Sequence, residues 1–324
     1  MMVYPEKALT SWSAGGRSTS DPMDVPSECP PGLRSRRECR PLPTALPQHQ
    51  RLACSELGGV CSPGGIPPGI QIAGFYHVTA TGVWLNITRD QLSLLHHACL
   101  LHRAAMHITV ISSKPETSLM ELRDVVQALI PDASPNAWPR FTSLQQTFKP
   151  VYEPVTLANM RAFCLAQPPL KRNATLVFYL HSKGVTRKAS PYKNSHLKPQ
   201  DVQDIVFDWR RYMEYFLFEN PRPCIHQLTQ QSKVACGVNY YSFPFRHFSG
   251  NFWWSRCDHI VAKPVNARED EAPGSLASTC KMCGESWLLS QTNASWPVIE
   301  LWHSFADHYV ERYPREKYRT SGCE

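Results

Sequence analysis

The sequence lacks several features that would assign it to a common class at once. It contains no run of about 18 apolar residues, so no segment is predicted to cross a membrane as a helix. The Walker loop, GxGxxG, HExxH and GxSxG are also missing, which argues against the nucleotide-binding, metalloprotease and hydrolase classes that carry them. The first residues, MMVYPEKALTSWSAGG, have no unbroken apolar stretch of the kind found in secretory signals.

Charge and cysteine content are both moderate. A net charge of +7 over 324 residues suits acidic or phosphorylated small molecules as well as nucleic acid. No Lys/Arg-rich stripe interleaved with aromatic residues occurs, so we predict no nucleic-acid partner. Twelve cysteines are too few for a disulfide scaffold in a chain of this length. The compartment stays open between the Golgi or secretory lumen and the cytoplasm.

Composition divides the chain near residue 70. Residues 1–70 hold 11 of the 28 prolines and 8 of the 16 glycines, which is typical of a disordered segment. We therefore predict a disordered Pro/Gly/Ser-rich tail over 1–70 and one folded domain over 71–324.

Strand and helix patterns alternate along the predicted domain. Strands are expected over 73–79, 106–111, 175–180 and 234–241. Helices are expected after Thr88, Ser118 and Asp201, each at a capping position, and over 297–313. This order predicts an α/β fold with a mixed, mainly parallel sheet flanked by helices. Ligands of such sheets bind beyond the carboxyl ends of the strands, which selects the loops after Val78, Leu180 and Tyr240.

The segment 181-HSKGVTR-187 follows a predicted strand and has the chemistry for holding a diphosphate. Lys183 and Arg187 would neutralise charge, His181 adds an imidazole, and Gly184 lets main-chain N–H groups approach. The alternative is a solvated basic loop.

The segment 247-HFSGNFWWSR-256 concentrates aromatic residues after a tight turn. Indole rings can stack on the C–H faces of sugars, and the amide of Asn251 can bond to sugar hydroxyls. The alternative is that the tryptophans belong to the core. Because adjacent strand residues face opposite sides, we expect one of Trp253 and Trp254 in the core and the other, with Asn251, in a cleft.

Two further segments contain reactive side chains. Glu285 stands beside Trp287 at the start of a predicted helix, where a carboxylate could act as a general base or could simply complement the helix dipole. Cys280 and Cys283 have the spacing of half a zinc site, but the nearest further ligands, Cys257 and His259, are irregularly spaced.

Taken together, the motifs resemble those of a group of glycosyltransferases that use nucleotide-diphospho-sugars. The motifs are 75-FYHVTATGVW-84, 178-FYLHSKGVTR-187, 208-DWRRYMEYFLFE-219, 236-CGVNYY-241, 247-HFSGNFWWSR-256 and 285-ESW-287. The similarity extends over about residues 73–313 and includes rhamnan-synthesis-like proteins. It implies a GT-A-like, Rossmann-type domain with a nucleotide-sugar site at the carboxyl ends of its parallel strands.

The resemblance also implies roles for individual residues. Tyr76 and His77 would lie near the nucleotide, and His181 and Lys183 near the diphosphate. Glu285 would be the catalytic base, with Asp258 as the second choice. Residues lining the acceptor would be Gly250, Asn251, Phe252, Trp253 and Trp254. No clear Asp-x-Asp motif is present, which leaves a requirement for Mn²⁺ or Mg²⁺ open.

The sequence therefore predicts transfer of a sugar from a nucleotide-diphosphate donor to a glycan or another hydroxyl acceptor. The first alternative is a non-catalytic carbohydrate-binding or degenerate transferase-like protein. The second is a zinc-stabilised interaction module built on the cysteines.

Overall fold

A computed structural model describes nine stretches of the chain. They are residues 59–61, 65–130, 139–145, 153–183, 197–231, 233–242, 245–263, 283–290 and 297–319. Most of the predicted tail lies outside these stretches. Val60 is 1% exposed and its N–H donates to the carbonyl of Ala98, so residues 59–61 pack against the domain.

Seven strands form the main sheet. They are β1 (Gln71–Thr79), β2 (Ala105–Ser112), β3 (Arg140–Gln145), β4 (Thr175–His181), β5 (Ala235–Gly237), β8 (Trp253–Arg256) and β9 (Val298–Glu300). Their order is β3-β2-β1-β4-β8-β5-β9, and only β8 runs antiparallel to its neighbours. Strands β6 (Tyr240–Tyr241) and β7 (His247–Phe248) form a separate hairpin.

Helices cover both faces of this sheet. The helices are α1 (Trp84–His97), α2 (Leu100–Arg103), α3 (Pro115–Leu129), α4 (Pro154–Ala166), α5 (Pro199–Glu214), α6 (Arg222–Gln230), α7 (Cys257–Val261) and α8 (Cys283–Trp287). A π-helical turn, Tyr215–Glu219, follows α5, and short 3-10 helices cover Pro169–Ala174 and Arg315–Lys317. The prediction of an α/β fold with a mainly parallel sheet flanked by helices is confirmed.

The two faces of the sheet have separate hydrophobic cores because strand side chains alternate. Tyr76, Phe178 and Trp254 pack on one face, against α1, α3, α5 and α6. Phe75, Tyr179 and Trp253 pack on the other face, against α4, α7 and α8. Neighbouring residues of one strand therefore serve different cores.

The strand order reverses between β1 and β4. After β1 the chain moves outward to β2 and β3, and β4 then returns to the other side of β1. Ligand crevices of α/β sheets form beyond the carboxyl ends of the strands at such a reversal. The ends of these two strands, at His77 and His181, stand in register.

The predicted helix over 297–313 is wrong. Residues 298–300 instead form β9, which pairs with β5. Residues 301–313 are not helical, and Phe305 has a φ of 56°, which is incompatible with a right-handed helix. The apolar run had the right composition for either element, and pairing with β5 decided between them.

Two predicted helix starts are also displaced. Helix α1 begins at Trp84 and α3 at Pro115, so Thr88 and Ser118 lie inside their helices and cap neither. The hydroxyl of Thr88 instead lies 3.1 Å from that of Tyr76. The prediction for Asp201 is close, because it accepts a hydrogen bond from the N–H of Lys198 in the first turn of α5.

Three disulfides link described cysteines, although the cysteine content alone did not indicate them. They are Cys61–Cys99, Cys164–Cys257 and Cys224–Cys236. The first ties residues 59–61 to the turn between α1 and α2, the second ties α4 to α7, and the third ties α6 to β5. In the described part of the chain, no helix has the length and apolarity needed to cross a membrane.

We predict that the long-range disulfide contributes more stability than the short-range one. Cys164–Cys257 spans 93 residues and Cys224–Cys236 spans 12, and all four cysteines are fully buried. In the chain-entropy model, the loss of the first should cost about 2 kcal/mol more than the loss of the second. Denaturant unfolding of the two double Cys→Ala variants without reductant measures this difference. Equal losses would contradict the expectation.

Candidate functional site

Glu153 lies next to His181, at the carboxyl end of β4, although the sequence analysis did not select it. It immediately precedes Pro154, the first residue of α4. One carboxylate oxygen accepts a hydrogen bond from the amide of Asn251, and the other lies 3.6 Å from Nε2 of His181. A Cβ placed on Gly284 would lie 2.6 Å from the carboxylate, so only glycine fits there without displacing it.

The position of Asn251 is fixed from the core. The indole N–H of Trp253 donates to Oδ1 of Asn251 at 2.8 Å, which directs the Asn251 amide N–H toward Glu153. Asn251 has a φ of 59° and the preceding Gly250 a φ of 92°, so two consecutive residues are left-handed. A Cβ on Gly250 would also lie 2.4 Å from the sulfur of Met213. The turn that presents Asn251 therefore requires glycine at position 250.

His181 links the end of β4 to this turn. Its Nε2–H donates to the carbonyl of Gly250 at 3.0 Å. Burial, followed by the positive charge of Lys183, lowers the pKa of His181 well below its usual value. The imidazole is therefore neutral at pH 7, and its contact with Glu153 is not an ion pair.

His77 is the neighbour of His181 at the end of β1. It is 3% exposed, and its Nδ1 lies 2.9 Å from the hydroxyl of Thr156. Burial lowers the pKa of His77 to about 4, so it too is neutral at pH 7. The two imidazoles supply polarity at this edge without adding charge.

Lys183 provides a cation next to these neutral histidines. Its Nζ lies 3.7 Å from the ring centroid of Trp209, in cation–π geometry. Its charge also lowers the pKa of Glu153, which shows that the two side chains are close. The other predicted diphosphate ligands, Gly184 and Arg187, lie outside the described residues.

The Glu153 carboxyl has an unusual protonation equilibrium. Burial is the largest cause and the negative charge of Glu285 the second, and together they raise the pKa of Glu153 to about 7. Lys183 and the Asn251 hydrogen bond oppose this shift but do not cancel it. A carboxyl that changes protonation near neutral pH is suited to general acid–base chemistry.

The structure thus brings together several of the predicted residues. Glu285, in the first turn of α8, is half-buried and close enough to act on the charge of Glu153. His181, Lys183 and Asn251 surround the same carboxylate. Among the described residues, no group of three or more His, Cys, Asp or Glu side chains could hold a metal ion.

The expected exposure of one tryptophan is wrong. Trp253 and Trp254 are 1% and 0% exposed, because they point into the two cores on opposite faces of the sheet. Trp254 donates its indole N–H to the carbonyl of Leu217 at 2.8 Å. Phe252 is also buried. None of these rings offers a face to a ligand, and Trp253 acts on the site only through Asn251.

Two other predicted positions are also corrected. Asp258 lies beyond the end of antiparallel β8, at the opposite edge of the sheet, where Arg256 holds it in a bidentate ion pair. Tyr76 is fully buried under α1, with its hydroxyl donating to Gln91 at 2.6 Å. Neither side chain can therefore contact a ligand in the crevice. The suggested zinc ligand Cys257 is bonded to Cys164.

One signal in the sequence could have selected Glu153. It is an acidic residue directly before a proline at the start of an apolar helical pattern, where a charged side chain approaches the positive end of the helix. Its pairing with Asn251, which is 98 residues away, depends on the fold.

The raised pKa predicts a pH-dependent gain in stability for Glu153→Gln. In the folded protein the carboxyl holds its proton up to about pH 7, whereas in the unfolded chain it loses the proton near the ordinary glutamate pKa of 4.5. The wild type therefore loses stability as pH rises through this window, and a neutral glutamine does not. We expect the variant to be more stable at pH 8 by on the order of 2 kcal/mol, with a smaller gain at pH 5.

Thermal and urea unfolding at pH 5 and pH 8 would measure this effect. Glu316→Gln is the matched control, since Glu316 is exposed and its replacement should change stability little at either pH. A Glu153→Gln variant that is destabilised equally at both pH values would contradict the assignment.

Comparison with known proteins assigns a family but no activity. A model of a family described as a domain of unknown function (DUF8361) matches residues 75–265. No curated protein matches the chain. The matched region is more than half of the sequence and contains Glu153, His181, Lys183 and Asn251, whereas Glu285 lies beyond it. The chain belongs to the family defined by this domain of unknown function.

Proposed function

We propose that this protein is a glycosyltransferase that moves a sugar from a nucleotide-diphosphate donor to a hydroxyl acceptor, with Glu153 as its general base. The observation that carries the proposal is the Glu153 carboxyl, which has a pKa of about 7 and feels the charge of Lys183. This carboxyl lies beside His181 at the end of β4, next to the point where the strand order reverses. Glu285, the base expected from the sequence, takes the role of raising that pKa.

The proposed reaction requires proton removal from the acceptor. As the acceptor oxygen attacks the anomeric carbon and the bond to the diphosphate breaks, the hydroxyl proton passes to the Glu153 carboxylate. Asn251 orients this carboxylate by donating to one of its oxygens. A single positioned base suits direct displacement with inversion at the anomeric carbon.

The leaving diphosphate gains negative charge as the bond breaks, and we assign its stabilisation to Lys183, whose charge acts on Glu153. His181 acts as a positioning residue, because its Nε2–H is committed to the Gly250 carbonyl. The carboxyl edge of β1 and β4 would accept the nucleotide, in keeping with the general rule for open α/β sheets. Among the described residues, no three His, Cys, Asp or Glu side chains are grouped so that they could hold Mn²⁺ or Mg²⁺.

The proposal predicts a large catalytic defect in Glu153→Gln. A donor screen by thermal shift with UDP-, GDP- and TDP-sugars, with and without Mn²⁺, would identify the nucleotide sugar. With that donor, nucleotide release by Glu153→Gln should fall by about 10²- to 10⁴-fold while donor binding persists. Lys183→Met should weaken donor binding, because it removes the cation and keeps the length of the side chain.

The pH profile supplies a second readout. Wild-type kcat/KM should rise with pH and level off above about pH 7, where Glu153 is ionised. Glu285→Gln should move this midpoint to lower pH, because it removes the neighbouring negative charge. The proposal fails if no nucleotide sugar is bound or turned over. Binding without turnover by the wild type would favour the non-catalytic carbohydrate-binding alternative.

A further inference from the structure

A row of five aromatic rings lies at the same edge of the sheet. In order of contact the rings are Phe245, His247, Tyr241, His303 and Phe305. Successive ring centroids are 4.9, 5.6, 5.1 and 4.6 Å apart. The first three belong to the β6–β7 hairpin and the segment leading into β7, and the last two follow β9. We refer to these five residues as the aromatic row.

The row is connected to the candidate active site through the backbone. Strand β7 leads through Ser249 and Gly250 directly to Asn251, which binds Glu153. Strands β5 and β9 are parallel to β4, so the segments that follow them emerge at the edge where His181 lies. A molecule that extends away from Glu153 toward β9 would therefore meet the row.

Phe305 is the most unusual member of the row. It is 58% exposed and has a φ of 56°, a conformation that is costly for a bulky side chain. A phenylalanine that is more than half exposed gains less from burial than a core residue, so the left-handed conformation of Phe305 needs support from its surroundings.

That support comes from a hydrogen-bonded network beneath the row. Asn239, itself left-handed with a φ of 50°, accepts from the N–H of Ser304 at 2.8 Å and from the hydroxyl of Tyr212 at 3.0 Å. Its Nδ2 donates to the hydroxyl of Ser304 at 3.1 Å. The network fixes the residue immediately before Phe305 and so supports the left-handed backbone at Phe305.

Polar groups accompany the rings. Nδ1–H of His303 donates to the Glu300 carboxylate at 2.6 Å, and the same carboxylate oxygen accepts from the N–H of Tyr240 at 2.6 Å. His303 is thereby oriented within the row, with its ring against both Tyr241 and Phe305. His303 is 5% exposed and supports the row from beneath, whereas Tyr241 is half-buried and Phe305 is exposed. The ring faces of Tyr241 and Phe305 match the apolar C–H faces of a pyranose.

We propose that the aromatic row binds the acceptor as a glycan chain, with sugar rings stacking on Phe305 and Tyr241. The inference rests on the proposed function, because it identifies the acceptor of that site as an oligosaccharide rather than a small hydroxyl compound. It predicts that glycan binding does not require the nucleotide sugar.

The substitution Phe305→Gly separates binding from folding. Glycine adopts positive φ without strain, so the variant should keep or raise the melting temperature of the wild type. Loss of the stacking ring should weaken glycan binding by about three- to tenfold. A purely structural role for Phe305 would give the opposite result, namely a lower melting temperature with unchanged binding.

The probe is an array of hexose and deoxyhexose oligosaccharides, screened with the full chain in the absence of donor, followed by titration of the best binder. Phe207→Ala is the matched control, since Phe207 is also an exposed phenylalanine, at 45%, but lies on α5 outside the row. The Phe207→Ala variant should bind the glycan with the same affinity as the wild type.

The outcomes distinguish the two proposals. If the wild type binds no oligosaccharide, or Phe305→Gly binds as the wild type does, the aromatic row is not an acceptor site. Donor binding and turnover, measured separately, would then still support the proposed function. If glycan binding depends on Phe305 but no nucleotide sugar is bound, the aromatic row is a glycan-binding site and the proposed glycosyltransferase function is wrong.

Discussion

The hydrogen bond from the indole of Trp253 to Asn251 connects the core of the sheet to the candidate active site. Trp253 is fixed among the apolar side chains on one face of the sheet, and its N–H selects the orientation of the Asn251 amide. The amide N–H is thereby directed to the carboxylate of Glu153. A buried aromatic residue thus positions, through Asn251, a titrating carboxyl that it does not touch. Functional sites commonly depend on such supporting hydrogen bonds.

Backbone strain is concentrated around the same edge. Three of the four described non-glycine residues with positive φ, Asn239, Asn251 and Phe305, lie in segments that emerge there. Hydrogen bonds to the side chains of Asn239 and Asn251 hold the surrounding turns in place. Such conformations persist only where neighbouring groups over-determine them, and they are common at functional sites. The positive-φ residues thus mark the same end of the sheet as Glu153, and this observation does not depend on the pKa of Glu153.

Much of the fold was predictable because hydrophobic periodicity is a local property. The strands around Phe75, Ile108 and Phe178 follow from short apolar runs, and the helix beginning near Asp201 follows from helical spacing of apolar residues. The segment after Pro297 was mispredicted because its apolar residues suit helix or strand equally, and only pairing with β5 made residues 298–300 a strand. For the site, the sequence selected His181, Lys183, Asn251 and Glu285, but it missed Glu153.

The sequence by itself determined the α/β alternation, the edge at which polar loops gather and the chemical types available there. Tertiary structure decided which of those groups meet. It placed Asp258 at the far edge because β8 is antiparallel, and it directed Trp253 and Trp254 into opposite cores because adjacent strand residues alternate. It also buried Glu153 beside Glu285, and since a pKa depends on desolvation and neighbouring charge, only the folded chain could set it near neutrality.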